Sequence, residues 1–149
     1  MIQRIQTVFW FIAAVLFGVM IPNDWMTLVA SDGDFSISAF GVFKGESQVI
    51  TGVPLLSYLV LMAVLNLVII FLYKKRILQA RLTVVSIILT LCFYLLVLMY
   101  RYMSFEGEIT AANWNFPLIL PMINIILSVL AWRGVVKDEA KVRSLDRLR

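Results

Sequence analysis

Four long apolar runs dominate the sequence, and most charged residues lie between them or at their ends. The second run, for example, continues to Tyr73 and stops at Lys74, Lys75 and Arg76. A helix needs about 20 apolar residues to cross ~30 Å of hydrocarbon. A single spanning segment must be helical, because lipid offers no partner for its backbone. The pattern therefore predicts four transmembrane helices, at about residues 3–22, 53–73, 82–102 and 116–136.

Composition excludes the other broad classes of protein. Hydrophobic residues make up 62% of the chain and charged residues 15%, whereas soluble domains have roughly 45–50% and about 25%. Neither a water-soluble globule nor a disordered chain fits these values. The first run, with Arg4 beside it, also fits a secretory signal peptide. No clean small-x-small cleavage site follows, so a retained helix is the preferred interpretation.

The distribution of lysine and arginine predicts the orientation. If the N-terminus is cytoplasmic, all of the 13 basic residues except Lys44 and Arg101 fall on the cytoplasmic side. Loops that stay in the cytoplasm are enriched in lysine and arginine. We therefore expect both termini to be cytoplasmic and residues 23–52 to form an outer loop.

The outer loop at residues 23–52 has the pattern of a small antiparallel hairpin or meander. Asp32-Gly33 is a hairpin turn signal, and Phe35, Ile37 and Ala39 alternate with serines. The predicted fold class is thus an all-α integral membrane protein, a four-helix bundle with a small sheet between helices 1 and 2.

Aromatic residues near the outer boundary have two interpretations. Packing or anchoring at the bilayer interface is preferred, because tryptophan and other aromatics are enriched there. A face that binds a ligand or partner is the alternative. The residues concerned are Trp25, Phe40, Phe43 and Trp114.

Polar residues within the apolar runs fall at matching heights. Counted from the cytoplasmic ends, Asn66, Thr90 and Ser128 form one predicted layer, and Asn124 and Tyr94 form another. Hydrogen bonds that hold the helices together are the preferred role, and a small cavity for a ligand or lipid headgroup is the alternative. Ala14 and Gly18 form a small-xxx-small pair, which predicts close helix packing in the first helix.

The tail at residues 137–149 is predicted to be a short amphipathic helix on the cytoplasmic side. Attraction to anionic phospholipids is its simplest role, at about 1 kcal/mol per basic residue. Docking to a membrane-protein partner is the alternative. No nucleic-acid motif supports contact with DNA or ribosomal RNA. The basic residues expected to contact headgroups or a partner, in the tail and the second loop, are Lys74, Lys75, Arg76, Arg81, Lys137, Lys141, Arg143, Arg147 and Arg149.

The two ends of the chain resemble a known family. The residues that carry the resemblance are Met1-Ile2-Gln3-Arg4-Ile5-Gln6-Thr7, Lys137-Asp138-Glu139, Val142-Arg143-Ser144 and Asp146-Arg147-Leu148-Arg149. They resemble a bacterial family of small four-helix membrane proteins called domain of unknown function 4293, and the resemblance covers the whole chain. It implies a location in the bacterial inner membrane. That family has no assigned activity, so the resemblance implies no catalytic or binding residue.

Function is predicted from what the apolar runs contain. Their central portions hold no ionisable side chain, the chain has no histidine, and its single cysteine is Cys92. Proton pumps, ion-coupled transporters and hydrolases need such groups at depth. We therefore expect no catalytic residue, no metal and no cofactor. A non-enzymatic accessory or scaffold subunit of a larger inner-membrane complex, of secretion, insertion or respiratory type, is the preferred hypothesis. A small lipid- or solute-handling protein that uses the polar layers is the alternative.

Overall fold

The apolar runs form four helices, and the segments at one end of them form a sheet. The computed structural model describes residues 3–30, 33–103 and 109–146. In chain order the elements are α1 (Gln3–Met20), β1 (Asp24–Ala30), β2 (Gly33–Ser38), β3 (Gly41–Lys44), β4 (Ser47–Thr51), α2 (Val53–Phe71), α3 (Arg76–Met103), β5 (Ile109–Trp114), a short 3-10 helix (Phe116–Ile119) and α4 (Leu120–Asp146).

Local residues explain where α1 ends and α2 begins. Helix α1 ends two residues before Pro22, and the Asn23 side chain donates a hydrogen bond of 2.7 Å to the Val19 carbonyl. That bond satisfies one of the carbonyls that a helix leaves unpaired at its end. Helix α2 has Pro54 in its first turn, where a missing N–H costs nothing.

Two helices extend beyond the apolar runs that predicted them. Helix α3 begins at Arg76 rather than near residue 82, and α4 continues without a break to Asp146. The described part of the predicted tail is therefore the end of α4 and not a separate helix. Charged residues end an apolar run without ending a helix, because lysine, arginine, glutamate and alanine are all strong helix formers.

The helices form a closed ring. Helix α1 packs against α2 and α4, and α3 packs against the same two helices. Three segments in the described part of the chain are long and apolar enough to cross a membrane: Val53–Phe71, Arg76–Met103 and Phe116–Val142. Ile5–Met20 in α1 is a shorter apolar helix.

The sheet differs from the predicted hairpin or meander. It has five antiparallel strands in the order β4-β3-β2-β1-β5, so the second connection at this end supplies a strand to it. In β5, Asn113 lies opposite Thr27 of β1. The expectation of an all-α fold is corrected accordingly: the molecule is a helix bundle with a five-stranded sheet at one end, which we call the sheet end.

The sheet packs against the bundle through its apolar face. Phe35, Ile37 and Ala39 are buried, as their alternation predicts. They belong to one hydrophobic cluster with residues from all four helices, including Phe17 and Phe93. A second cluster of Trp10, Ile69, Ala131 and Val135 lies nearer the other end. We call that end the basic end, because Lys74 and Lys75 lie in the turn between α2 and α3 there and Arg76 begins α3.

Candidate functional site: a buried polar layer and a basic groove

Polar side chains occupy the middle of the bundle interior. On α3 the buried positions Gln79, Thr83, Ser86 and Thr90 recur at helical spacing, and Phe93 continues the same face toward the sheet end. We define the polar layer by side chains that are at most 4% exposed: Asn66, Thr83, Ser86, Thr90, Asn124 and Ser128.

Most hydrogen bonds in this layer stay within one helix. The hydroxyls of Thr83 and Thr90 donate to carbonyls one turn earlier, at 2.8 and 2.7 Å. The Asn66 amide donates to the Met62 carbonyl at 2.8 Å. One bond in the layer crosses between helices, from Ser86 Oγ to Asn66 Oδ1 at 3.5 Å. Asn66 thus bonds to Ser86 of α3 and not to the predicted Thr90, one turn away on the same face.

Asn124 is the exception in the layer. Its side chain is 1% exposed, yet neither Nδ2 nor Oδ1 has a hydrogen-bond partner. Tyr94, which was predicted to share its height, instead donates to the Leu118 carbonyl at 3.0 Å. The phenol group stands far from its backbone, so it reaches a position nearer the sheet end. A buried amide with both ends unpaired is unusual in a folded protein, which makes Asn124 a candidate contact for a polar group.

The indole nitrogen of Trp10 is also buried without a partner. Sequence reasoning missed Trp10, and it also missed the buried Gln6 and Gln79 at the basic end. Gln79 donates to the Ile69 carbonyl at 3.0 Å and Gln6 to Asp138 Oδ2 at 2.8 Å. Gln79 precedes Thr83 by one helical turn, and this spacing is the sequence signal that would have placed Gln79 on the buried face of α3.

The two residues of the predicted packing pair, Ala14 and Gly18, differ in exposure. Ala14 is 7% exposed, but Gly18 is exposed, and a methyl group added there would meet nothing within 4 Å. The close approach lies at Gly134 of α4, where an added carbon would come within 2.7 Å of Gln6 Nε2. Spacing of small residues does not reveal which face of a helix meets a neighbour.

The four predicted boundary aromatics do not form one surface. Trp25 is fully buried, donates from Nε1 to the Met20 carbonyl at 2.9 Å, and packs edge-on against Phe93 with ring centres 5.3 Å apart. Phe40 and Trp114 are 50% and 58% exposed, and Phe43 is half-buried. Trp25 is therefore a core residue, which agrees with packing rather than recognition.

Two adjoining cavities lie at the basic end, between α3 and α4. The first, the basic pocket, has a volume of about 560 Å³ and is lined by Lys74, Lys75, Arg76, Ile77, Leu78, Arg81, Glu139 and Val142. The second, the apolar groove, has a volume of about 390 Å³ and is lined by Arg76, Ile77, Ala80, Arg81, Val84, Trp132, Val135, Val136, Glu139 and Ala140. Arg76, Ile77, Arg81 and Glu139 line both, so the two cavities adjoin each other.

The basic residues predicted for the tail lie away from this lining. Lys137 and Lys141 are exposed on α4, and neither lines the basic pocket or the apolar groove. The structure does not describe the Arg143 side chain, and Arg147 and Arg149 lie outside the described residues. Four of the nine predicted basic contacts, from Lys74 to Arg81, are thus brought together.

Chemically, the described site offers amides, hydroxyls and cations. The buried polar side chains in the described part of the chain are all amides or hydroxyls. No group of three or more potential metal ligands occurs among the described residues. Cys92 is exposed on α3.

Comparison with protein families decides the chain's membership. The family model described as Domain of unknown function (DUF4293) matches residues 2–148. The chain belongs to this family. The match covers nearly every residue, including the two ends on which the resemblance rested. A search of curated proteins finds no match.

Proposed function

We propose that this DUF4293 chain is a multi-pass protein of the bacterial inner membrane with both termini in the cytoplasm. We further propose that it serves as a non-enzymatic accessory or scaffold subunit of a larger membrane complex. Three segments of sufficient length and hydropathy support residence in the membrane. Helix α1, at 18 residues, is about 27 Å long, close to the hydrocarbon thickness. The lysines and arginines at the basic end support the orientation.

The observation that carries the accessory role is the length of α4. This helix continues past the predicted span, which ends at residue 136, to Asp146, and we call residues 137–146 the extension. A helix of ten residues is marginal by itself in water. Here it is a continuation of a packed helix, and Gln6 of α1 bonds to Asp138 at its base. A helix held in this way gives a partner subunit a fixed, charged surface.

The content of the interior supports a non-enzymatic role. Transport of ions or protons and acid–base catalysis use ionisable groups at depth. The buried polar groups in the described part of the bundle are amides and hydroxyls. Asn66, Thr83 and Thr90 donate to their own helix, whereas Gln6, Gln79 and Ser86 donate to a neighbouring helix. Such groups hold helices together.

Purification of the tagged full-length chain from its native membrane in a mild detergent tests the accessory role. We expect partner subunits to copurify in a fixed ratio to the chain. The variant Lys137→Glu/Lys141→Glu, which reverses two charges on the extension, should lose them. Lys137→Arg/Lys141→Arg, which keeps both charges, is the matched control and should retain them. A chain that always purifies alone, or partners that ignore the extension, would contradict the proposal.

A second candidate function is the handling of a lipid or polar solute within the polar layer, and the unpaired Asn124 amide is the observation that favours it. The experiment is hydrogen exchange of side-chain amides by NMR, with the protein in nanodiscs. Contact with water or solute predicts faster exchange at Asn124 than at Asn66, whose amide is bonded to Met62. Equal protection of both amides would remove this candidate.

A further inference from the structure

The basic pocket and the apolar groove share four lining residues, and they differ in chemistry. Around the pocket, four cationic side chains, Lys74, Lys75, Arg76 and Arg81, accompany a single carboxylate, that of Glu139. The groove is lined mainly by aliphatic side chains and Trp132. Both volumes lie within the roughly 300–1,000 Å³ of small-molecule sites.

Helix α3 adds to the positive potential of the pocket. Its first residue, Arg76, lies at the pocket, and its first turn contains no acidic residue. The free N–H groups at a helix N-terminus carry about half a positive charge. The four cationic side chains and the N-terminus of α3 therefore both contribute positive potential at the pocket.

The groove faces outward from the bundle. Ile77 is 47% exposed, and Val84 and Val136 are 40% and 43% exposed. In water such a surface would be costly, whereas in a bilayer it meets acyl chains. Trp132, a residue type enriched at the level of the headgroups, lines the groove and does not line the pocket.

We propose that this bipartite cavity is a binding site for an anionic glycerophospholipid, whose phosphate lies in the basic pocket and one of whose acyl chains lies in the apolar groove. The proposal rests on the membrane residence and orientation proposed above. A free phosphate would use the pocket alone, so the apolar groove beside the pocket commits the site to a lipid. Basic pockets between transmembrane helices on the cytoplasmic side are suited to such headgroups.

Quenching of tryptophan fluorescence by brominated lipids tests the proposal. Trp10 and Trp25 are 1% and 0% exposed, so the background Trp114→Phe leaves Trp132 as the tryptophan that lipid reaches. The protein is placed in nanodiscs of phosphatidylcholine, and brominated phosphatidylglycerol or brominated phosphatidylcholine is added at equal mole fraction. We expect phosphatidylglycerol to quench more strongly, and its excess to shrink at high salt because exposed charges are screened.

Two pairs of variants locate the site. Arg76→Gln/Arg81→Gln should weaken binding of phosphatidylglycerol roughly 30-fold, which follows from two lost headgroup interactions. Arg101→Gln, at the other end of α3, should leave binding unchanged. Val84→Phe fills the groove and should lower the quenching, whereas its neighbour Val85→Phe, with 44% exposure and outside the groove, should not.

Three results would overturn the site. The first is equal quenching by the two lipids when the groove is unsubstituted. The second is an unchanged preference for phosphatidylglycerol over phosphatidylcholine in Arg76→Gln/Arg81→Gln. The third is displacement of the brominated lipid by inorganic phosphate alone. The comparison of the two lipids needs no variant at the site, so it decides even if the double variant does not fold. Quenching by phosphatidylcholine reports membrane residence independently, so a failure of the site is distinguishable from a failure of the proposed membrane location.

Discussion

Two buried asparagines in the polar layer should respond in opposite directions to the same substitution. Asn124 has no hydrogen-bond partner at either end of its amide, and an unsatisfied buried polar group costs about 1–3 kcal/mol. Leucine has nearly the same shape and no polar atom. We therefore expect Asn124→Leu to raise the free energy of unfolding by about 1 kcal/mol or more.

Asn66 provides the matched control. Its amide donates to the Met62 carbonyl, and its oxygen accepts from Ser86. The bond to Ser86 crosses between helices, and such bonds average about 0.6 kcal/mol. Since the bond to Met62 within α2 is lost as well, Asn66→Leu should lower the free energy of unfolding by about 1 kcal/mol. The measurement is reversible unfolding by dodecyl sulfate in mixed micelles, followed by tryptophan fluorescence. If both variants shift in the same direction, or if Asn124→Leu destabilises by more than about 1 kcal/mol, the reasoning about unpaired amides is refuted.

Five further substitutions are measured in the same way. Gly52→Ala places a methyl group against the backbone of the β2–β3 turn and should cost about 3 kcal/mol. Gly45→Ala, in open space at φ +60°, should cost about 1 kcal/mol. Similar costs for the two substitutions would contradict a steric clash at residue 52. Gly18→Ala should be neutral or stabilising by up to about 1 kcal/mol, whereas Gly134→Ala should be destabilising. If Gly18→Ala were the more destabilising of the two, Gly18 would be a packing residue after all. Trp25→Phe removes the indole bond and leaves unfilled space at a fully buried position, so it should cost about 2 kcal/mol or more, and an unchanged midpoint would contradict both contributions.

The helices were predictable because two simple patterns agree. Long apolar runs indicate the helices, because a membrane-facing helix needs an apolar surface along its whole length. The residues that bound these runs, such as Pro22 and Lys74, indicate the turns. The alternation that buries Phe35 and Ile37 was equally local. The limits of α3 and α4 were less predictable, because hydropathy reports where lipid ends and not where helical hydrogen bonding ends.

Features that depend on distant residues were not predictable. Strand β5 reads Ile-Thr-Ala-Ala-Asn-Trp, which has no alternation, and its partner β1 lies far away in the chain. Burial of Trp25 depends on that sheet and on Phe93 of α3. Within the polar layer, residue counts located the approximate height of Asn66. They did not identify Ser86 as its partner, because the relative height of two helices depends on the turn between them.

The position of β1 between β2 and β5 has a consequence for how the protein assembles. Strands β1 to β4 are complete once the first two helices have been synthesised, but β5 follows the third. Met26 of β1 pairs with Trp114, so this contact closes a loop of most of the chain, and such long closures form late. During synthesis β1 therefore exposes an unpaired edge, the kind of edge that promotes aggregation. Completion of the sheet should thus report that the third helix is in place.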